Sequence, residues 1–481
     1  MTSFIHRLLV PVVFPHGICP GEGKDANLII VARDGRGQPL LRGSALAGAL
    51  RHAYSALRSR AQENKWFGNA LDGEDEAPSP LRVYDAPITF STSAADETLH
   101  LFRTHIAINR HTGSVLDGSL FSLEVLPPGS SATLCFWLRQ DDNDVTPQQN
   151  DPVEHAKNFL ADLLLILSSG LTLGGNSARG IGRVELSGKA LYRIFDTTKL
   201  DQQVELLNEH RAWRLGSLPS SGTPLEPSKD APPNALHVSL VLCVPQAQDL
   251  LIADGQGLDF EMEPQRVRCA DGKLHWRIPG SSLRGVFRAW FSRLAARQGL
   301  PIADDVKMWL DTRRLSGDDL AWGFDDKPSR EDKQDELHDA SSVSPALIPC
   351  PIMRLFGSSY AKGRIHISDA IADAVPEPPA RSPHEQLRMH VAVDRITGGA
   401  NEGFLFDNSV ITHGPQFSFL ITIKHPEEQE VRWLAATLRA LHLGILRIGS
   451  SKAGGRLALA AAPHASGPHA HILSNLRLTE D

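Results

Sequence analysis

One segment of this chain occurs twice. His105-Ile-Ala-Ile-Asn-Arg-His-Thr-Gly-Ser-Val-Leu-Asp-Gly-Ser-Leu-Phe121 returns as His390-Val-Ala-Val-Asp-Arg-Ile-Thr-Gly-Gly-Ala-Asn-Glu-Gly-Phe-Leu-Phe406, with eight of seventeen positions identical. Unrelated segments of that length share about one. Three further pairs follow in the same order. Arg42-Gly-Ser-Ala-Leu-Ala-Gly-Ala-Leu-Arg51 matches Pro279-Gly-Ser-Ser-Leu-Arg-Gly-Val-Phe-Arg288. Trp66-Phe-Gly68 with Asp85-Ala86 matches Leu355-Phe-Gly357 with Asp369-Ala370, and Gly175–Arg183 matches Gly449–Arg456 more loosely. The chain is a tandem of two copies of one unit. The spacing between matched pairs widens by roughly 50 residues inside the second copy, which places an insertion there. That insertion, residues 301–350, is rich in Asp and Glu.

Each copy has one order of elements. A strand opens it (Phe4 to Val13; Leu236 to Val244), then comes a Gly-containing loop, then a helix beginning at Gly-Ser-x-Leu. Leu46, Ala49, Leu50 and Ala53 recur at helical spacing, as do Leu283, Val286, Phe287 and Trp290. Ser44 and Ser281 stand where N-caps belong. A hairpin with the 17-residue repeat follows, then a second apolar helix (Val153 to Leu167; Val431 to Ile445), a Gly-rich turn and a last strand. This order predicts an α+β, ferredoxin-like unit. The expected domains are 1–190 and 234–481, joined by a linker over 191–233.

With 481 residues, two to three domains are expected. No run of about 18 apolar residues indicates a membrane span, and Met1–Arg7 lacks a signal-peptide pattern. The five cysteines are scattered without a Cys-x-x-Cys pair, which argues against structural zinc and fits a reducing cytoplasm. The net charge of −7 by itself counts against a nucleic-acid partner, but Arg residues recur at matched places in the repeats.

Four patterns bear on chemistry. Gly21-Glu-Gly-Lys-Asp25 and Gly255-Gln-Gly-Leu-Asp259 follow the opening strands, each with an Arg beyond it, at Arg33 and Arg268. Glycines admit a ligand close to the backbone, and a short carboxylate beside them coordinates a cation or binds its own loop. Asp34 in the first copy, and Asp254 and Glu263 in the second, are neighbouring alternatives. The Gly43-Ser44 and Gly280-Ser281 helix starts, with Arg51, Arg284 and Arg288 farther along, suit a phosphate or simply a capped core helix. The repeated hairpin carries His105 and His390, Arg110 and Arg395, and the turns Thr112-Gly113 and Thr397-Gly398. Such a hairpin either wedges between bases or packs on its own domain. The Gly-rich turns, with Arg179, Arg183, Lys452 and Arg456, lack the Lys-Ser/Thr ending of a nucleotide-hydrolysing loop.

In combination these segments resemble the RAMP superfamily of CRISPR-associated proteins, and within it the backbone subunits of type III effector complexes in which two units are fused. The resemblance covers both halves of the chain. It implies tandem ferredoxin-like, RRM-related domains, each with a thumb β-hairpin, that stack along a guide RNA beside other RAMP subunits. It further implies cutting of complementary target RNA, with a divalent metal such as Mg2+ or Mn2+, by an Asp in the loop after the first strand. Carried over, Asp25 and Asp259 are the catalytic and metal-binding candidates. Arg110, Thr112, Arg395 and Thr397 belong to the thumbs. The Gly-Ser helix starts and the Gly-rich turns face guide RNA. The chain departs from the family at the usual place of the Asp, where it has Leu28 and Glu263, so one or both copies are candidates for inactivity. A non-catalytic RNA-binding scaffold is the alternative. A metal-independent guide-processing RNase using His16, His105 or His390 is a third. The resemblance implies no membrane partner.

Overall fold

A computed structural model describes residues 3–25, 28–69, 77–90, 101–106, 120–141, 152–174, 180–217, 221–229, 234–254, 262–300, 302, 350–357, 362–377, 380–394, 396–449 and 455–476. The chain divides into two units. The first comprises Met1–Ser177, Ile181–Pro233 and Val267–Leu274; the second comprises Ala178–Gly180, Asn234–Arg266 and His275–Asp481.

In the first unit the elements are β1 (Ser3–Phe14), β2 (Gly21–Asp25), β3 (Leu28–Val31), β4 (Leu40–Leu41), α1 (Gly43–Leu57), α2 (Arg60–Phe67), β5 (Leu81–Val83) and β6 (Ala86–Thr89). There follow β7 (Phe102–His105), β8 (Phe121–Glu124), β9 (Ser130–Asp141), α3 (Pro152–Ser168), β10 (Glu185–Leu186), β11 (Ala190–Asp196), α4 (Leu200–Arg214) and β12 (Thr223–Leu225). The sheet runs β12-β11-β1-β9-β6-β4, with β10 also on β1 and β5 also on β9. Strand β1 lies antiparallel between β9 and β11, in the ferredoxin-like order. Its residues Leu8, Val10, Val12 and Phe14 join Leu46 and Leu50 of α1 and Leu160 and Leu164 of α3 in one core. Alternation along the strand and the i, i+4 spacing along the helices bring these faces together.

The second unit repeats the plan with β13 (Ala235–Cys243), β14 (Ala253–Asp254), β15 (Glu263–Pro264), β16 (Arg266–Arg268), β17 (Leu274–Ile278), α5 (Gly280–Arg297), α6 (Pro351–Phe356), β18 (Ile365–Ile367) and β19 (Ala370–Val375). It continues with β20 (Glu385–Val393), β21 (Ala400–Ile411), β22 (Gln416–Lys424), α7 (Glu428–His442), β23 (Ala458–Leu459), β24 (His464–Ser466) and α8 (His471–Ser474). The sheet runs β16-β17-β19-β22-β13-β23, with β18 on β22 and β24 on β13, so β13 and β22 pair within it as β1 and β9 do in the first. Its own core holds Val238, Leu240, Leu283, Phe287, Phe417, Ile421, Leu434 and Leu438.

Two expectations require correction. Residues 191–233 are not a plain linker, because β11 and β12 extend the first unit's sheet. Helix α4 lies against that unit as well. The Trp213 indole donates to the Thr133 carbonyl at 3.0 Å, and Arg7 of β1 pairs with Glu209 of α4. Nor do the serines cap the helices. Arg42 and Pro279 occupy the N-cap positions, and no side chain there makes a capping hydrogen bond. The acidic insertion lies almost wholly outside the described residues.

Candidate nucleic-acid interface

The Gly-rich turn of each unit fastens the loop that follows the opening strand. The Gly182 amide donates to the Gly17 carbonyl at 2.8 Å, and the Gly455 amide to the Asp249 carbonyl at 2.8 Å. Leu173 donates to Gly182 at 2.7 Å, and Ile448 to Gly455 at 2.9 Å. Gly182 and Gly455 have φ of +84° and +79°, and a Cβ on either would overlap the Leu173 or Ile448 carbonyl oxygen. Only glycine meets both conditions.

From this anchor the loops run on in register. The Ala32 amide bonds the Pro20 carbonyl at 2.7 Å, and the Gln265 amide bonds the Ile252 carbonyl at 3.0 Å. Gly21 therefore corresponds to Ala253, and Arg33 to Arg266 rather than to Arg268. The Gly-x-Gly-x-Asp pattern starts at the anchor in the first unit and beyond it, at Gly255, in the second. Asp25 ends β2, its backbone paired with Leu28 of β3. Asp259 lies outside the described residues. Glu263 is buried in β15, and its carboxylate lies 3.5 Å from the Arg266 guanidinium. Arg268 instead donates to the Gly272 carbonyl of its own turn, at 2.7 Å.

Several expected RNA contacts are turned inward. Gly43 and Gly280 are buried, and a Cβ on them would overlap the Val83 or Ile367 carbonyl. Their amides are already taken, Gly43 N by Asp85 at 2.7 Å and Gly280 N by Asp369 at 2.8 Å. A phosphate placed on either amide would meet a carboxylate, so the helix starts are closed by the repeated Asp-Ala pairs. Ser44 is exposed and Ser281 half-buried beside them. Arg51 bonds Glu63 at 2.6 Å and Asn64 at 3.3 Å, tying α1 to α2. Arg284 donates to the carbonyls of Ile365 (3.1 Å) and Phe356, and its guanidinium covers the Phe356 ring. Arg288 is half-buried on α5. Arg183 is buried, bonds Glu185 at 2.8 Å and packs against Gly170; Arg456 packs in the same way against Gly444. Arg179, Lys452, Arg110, Thr112 and Arg395 lie outside the described residues.

The hairpins stand at the same end of each sheet as these loops, because Ile18 bridges Leu126 and Leu250 bridges Ile411 at their roots. In the second unit β20 pairs with β21 from Glu385↔Ile411 to Val393↔Ala400. Alternate residues Leu387, Met389, Val391 and Val393 lie exposed along one face, and Ile396 at the tip is 94 % exposed. The turn is set by Asp394, which accepts from the amides of Ile396 (2.9 Å) and Thr397 (2.7 Å) and from the Thr397 hydroxyl (3.0 Å). Those bonds, the Thr397 amide first, hold the Asp394 carboxyl below its usual range. In the first unit β7 and β8 pair in the same fashion, with His105 stacked on Phe121.

A family model for the RAMP superfamily matches residues 9–185 and 267–457. The chain belongs to the RAMP superfamily. One match runs from β1 to the start of β10 and the other from β16 through α7, one in each repeat, so RAMP units are fused here in tandem. RAMP proteins work with RNA in multi-subunit CRISPR-associated complexes. Among curated proteins none matches the chain. No helix among the described residues is long and apolar enough to cross a membrane. Among the described residues no group of three or more His, Cys, Asp or Glu converges as a metal cage. The sequence signal for the Asp85 and Asp369 caps was present in the repeated Asp-Ala pairs, but their partners lie more than forty residues away in the chain.

Proposed function

We propose that the chain is a backbone subunit of a type III CRISPR effector complex that binds guide RNA and cuts complementary target RNA. Asp25 acts in the first unit and Asp259 in the second. The observation that carries this reading is that in each unit an anchored loop and the root of a hairpin share one end of the sheet. The apolar face and tip of the second unit's hairpin suit displacement of a nucleotide, and the sequence sets Asp25 and Asp259 in the two loops. Displacement bends the strand, so that the 2′-hydroxyl oxygen, its proton passing to water, attacks the adjacent phosphorus as the 5′-oxygen leaves and takes a proton from water, giving a 2′,3′-cyclic phosphate and a 5′-hydroxyl. Alignment of this kind supplies several kcal/mol.

A carboxylate is a hard oxygen donor and fits Mg2+ or Mn2+, which when bound stabilises charge on the phosphate or the leaving oxygen. The neighbouring carboxylates Glu124 and Glu263 face arginines. RNA oxygens would complete the shell of a bound ion. Because Glu263 faces Arg266, Asp259 is the better candidate of the two. That no metal cage forms among the described residues favours one second reading, a scaffold subunit whose neighbour does the cutting.

The test is the assembled complex with complementary target RNA, with and without EDTA. Asp25→Ala and Asp259→Ala are each expected to remove one metal-dependent cut and leave RNA binding intact. Both cuts surviving in the double variant overturn the assignment. No cuts in the wild type support the scaffold, and EDTA-resistant cutting of guide-precursor RNA supports the histidine-based alternative.

A further inference from the structure

In both units an arginine of the opening loop reaches a carboxylate at the root of that unit's own hairpin. In the first, Arg33 donates through Nη2 and Nη1 to Glu124 at 2.5 and 3.0 Å. The Val31 amide donates to the same Glu124 at 2.9 Å. Glu124 belongs to β8, opposite Phe102 of β7, and is buried. In the second, Arg266 donates to Glu385 at 2.9 Å, and the Ser409 hydroxyl donates to the same Glu385 oxygen at 2.6 Å.

The two pairs are not inherited copies. The root bridges Ile18–Leu126 and Leu250–Ile411 put Glu124 in register with Ser409, not with Glu385. Glu385 lies on the other hairpin strand, opposite Ile411. The arginine stands at the same register in both units while the carboxylate comes from different hairpin strands, and Ser409, in register with Glu124, donates to Glu385. Duplication explains a shared residue at a shared position. It does not explain one contact rebuilt from a different strand. The second unit adds another tie, Arg388 of β20 to Asp249 of the opening loop, at 2.8 and 3.1 Å.

We infer that Arg33–Glu124 and Arg266–Glu385 are positioning pairs that lock each hairpin to the loop bearing the proposed cutting carboxylate. A charge-assisted bond to a buried carboxylate, bidentate at Glu124 and shared with the Ser409 hydroxyl at Glu385, resists sliding in a way that apolar contact does not. With the lock intact, the loop moves with the hairpin that displaces the target nucleotide. The catalytic part of this inference rests on the proposed function; the mechanical linkage does not.

Two measurements test it. In the assembled complex, Glu385→Gln is expected to slow the cut assigned to the second unit by about ten- to a hundredfold. Target affinity and the first unit's cut stay unchanged. Adding Ser409→Glu, which copies the first unit's arrangement into the second, restores the rate to within about twofold. A wild-type rate in Glu385→Gln, or no restoration by Ser409→Glu in a protein with wild-type melting, overturns the role. In the chain alone, Arg33→Gln speeds amide hydrogen exchange in both β2–β3 and β7–β8. Acceleration confined to β2–β3, or absent from both, overturns the linkage. A wild-type complex that cuts nothing sinks the proposed function, and the exchange measurement still decides the linkage.

Discussion

Asp369 and Asp85 hold the same place in the two units, yet they bear unequal loads. Asp369 is 1 % exposed, takes the Gly280 amide and lies 3.4 Å from Arg277. Asp85 is exposed and takes only the Gly43 amide. Asp369→Ala is therefore expected to cost about 2–4 kcal/mol, since it strips a buried amide and a half-buried guanidinium at once. Asp85→Ala is expected to cost about 1 kcal/mol. Denaturant titration of each variant checks the ranking.

His6 offers a test by pH. It is fully buried in β1, bonded to the Tyr192 hydroxyl at 2.8 Å and to Gln140 at 2.6 Å. Burial lowers its pKa below the ordinary 6.5, against the opposing hydrogen bond that its Nε2 donates to Gln140 Oε1. Below 6.5 the unfolded chain binds a proton that the folded one refuses, so stability is present above that pH and falls as the pH drops through it. Melting curves between pH 8 and pH 5 should show this loss in the wild type and a flatter profile in His6→Gln.

Among the elements, the second unit's hairpin makes the most specific demand. Its apolar residues face solvent along β20, and its tip depends on one side chain, Asp394. Asp394→Ala is expected to leave thermal melting unchanged while speeding amide exchange at Ile396 and Thr397 and weakening the cut assigned to that unit. Unchanged exchange would mean that the turn does not need its Asp. Helix α4 shows why one element was unreadable in advance. Leu206 and Trp213 are buried, but Leu200, Val204 and Leu207 are exposed on the same helix. Apolar residues on both faces leave no single stripe, and the segment reads as a linker beside a Pro-rich stretch.

For the molecule as a whole, each unit carries a separate core. Calorimetry is expected to resolve two transitions. Leu134→Ala, at a site with no exposure in the first core, lowers one of them, and Phe417→Ala lowers the other. Each costs about 2–5 kcal/mol in its own unit. A single transition shifted alike by both variants would show that the units unfold together.

Comparison of the chain with itself was enough to reveal the doubling, the order of elements within each copy and the two apolar helices. All of these follow from residue type and spacing along the chain, and both copies carry the same record. Folding alone settled which polar groups meet. The Gly-Ser helix starts looked open to phosphate until Asp85 and Asp369 came to lie on them from the turns before β6 and β19. Arg183 and Arg456 looked basic and available until each packed against the glycine after a helix. Charge pairing depends on distances of a few ångströms between residues tens to hundreds of positions apart, and local spacing holds no record of that.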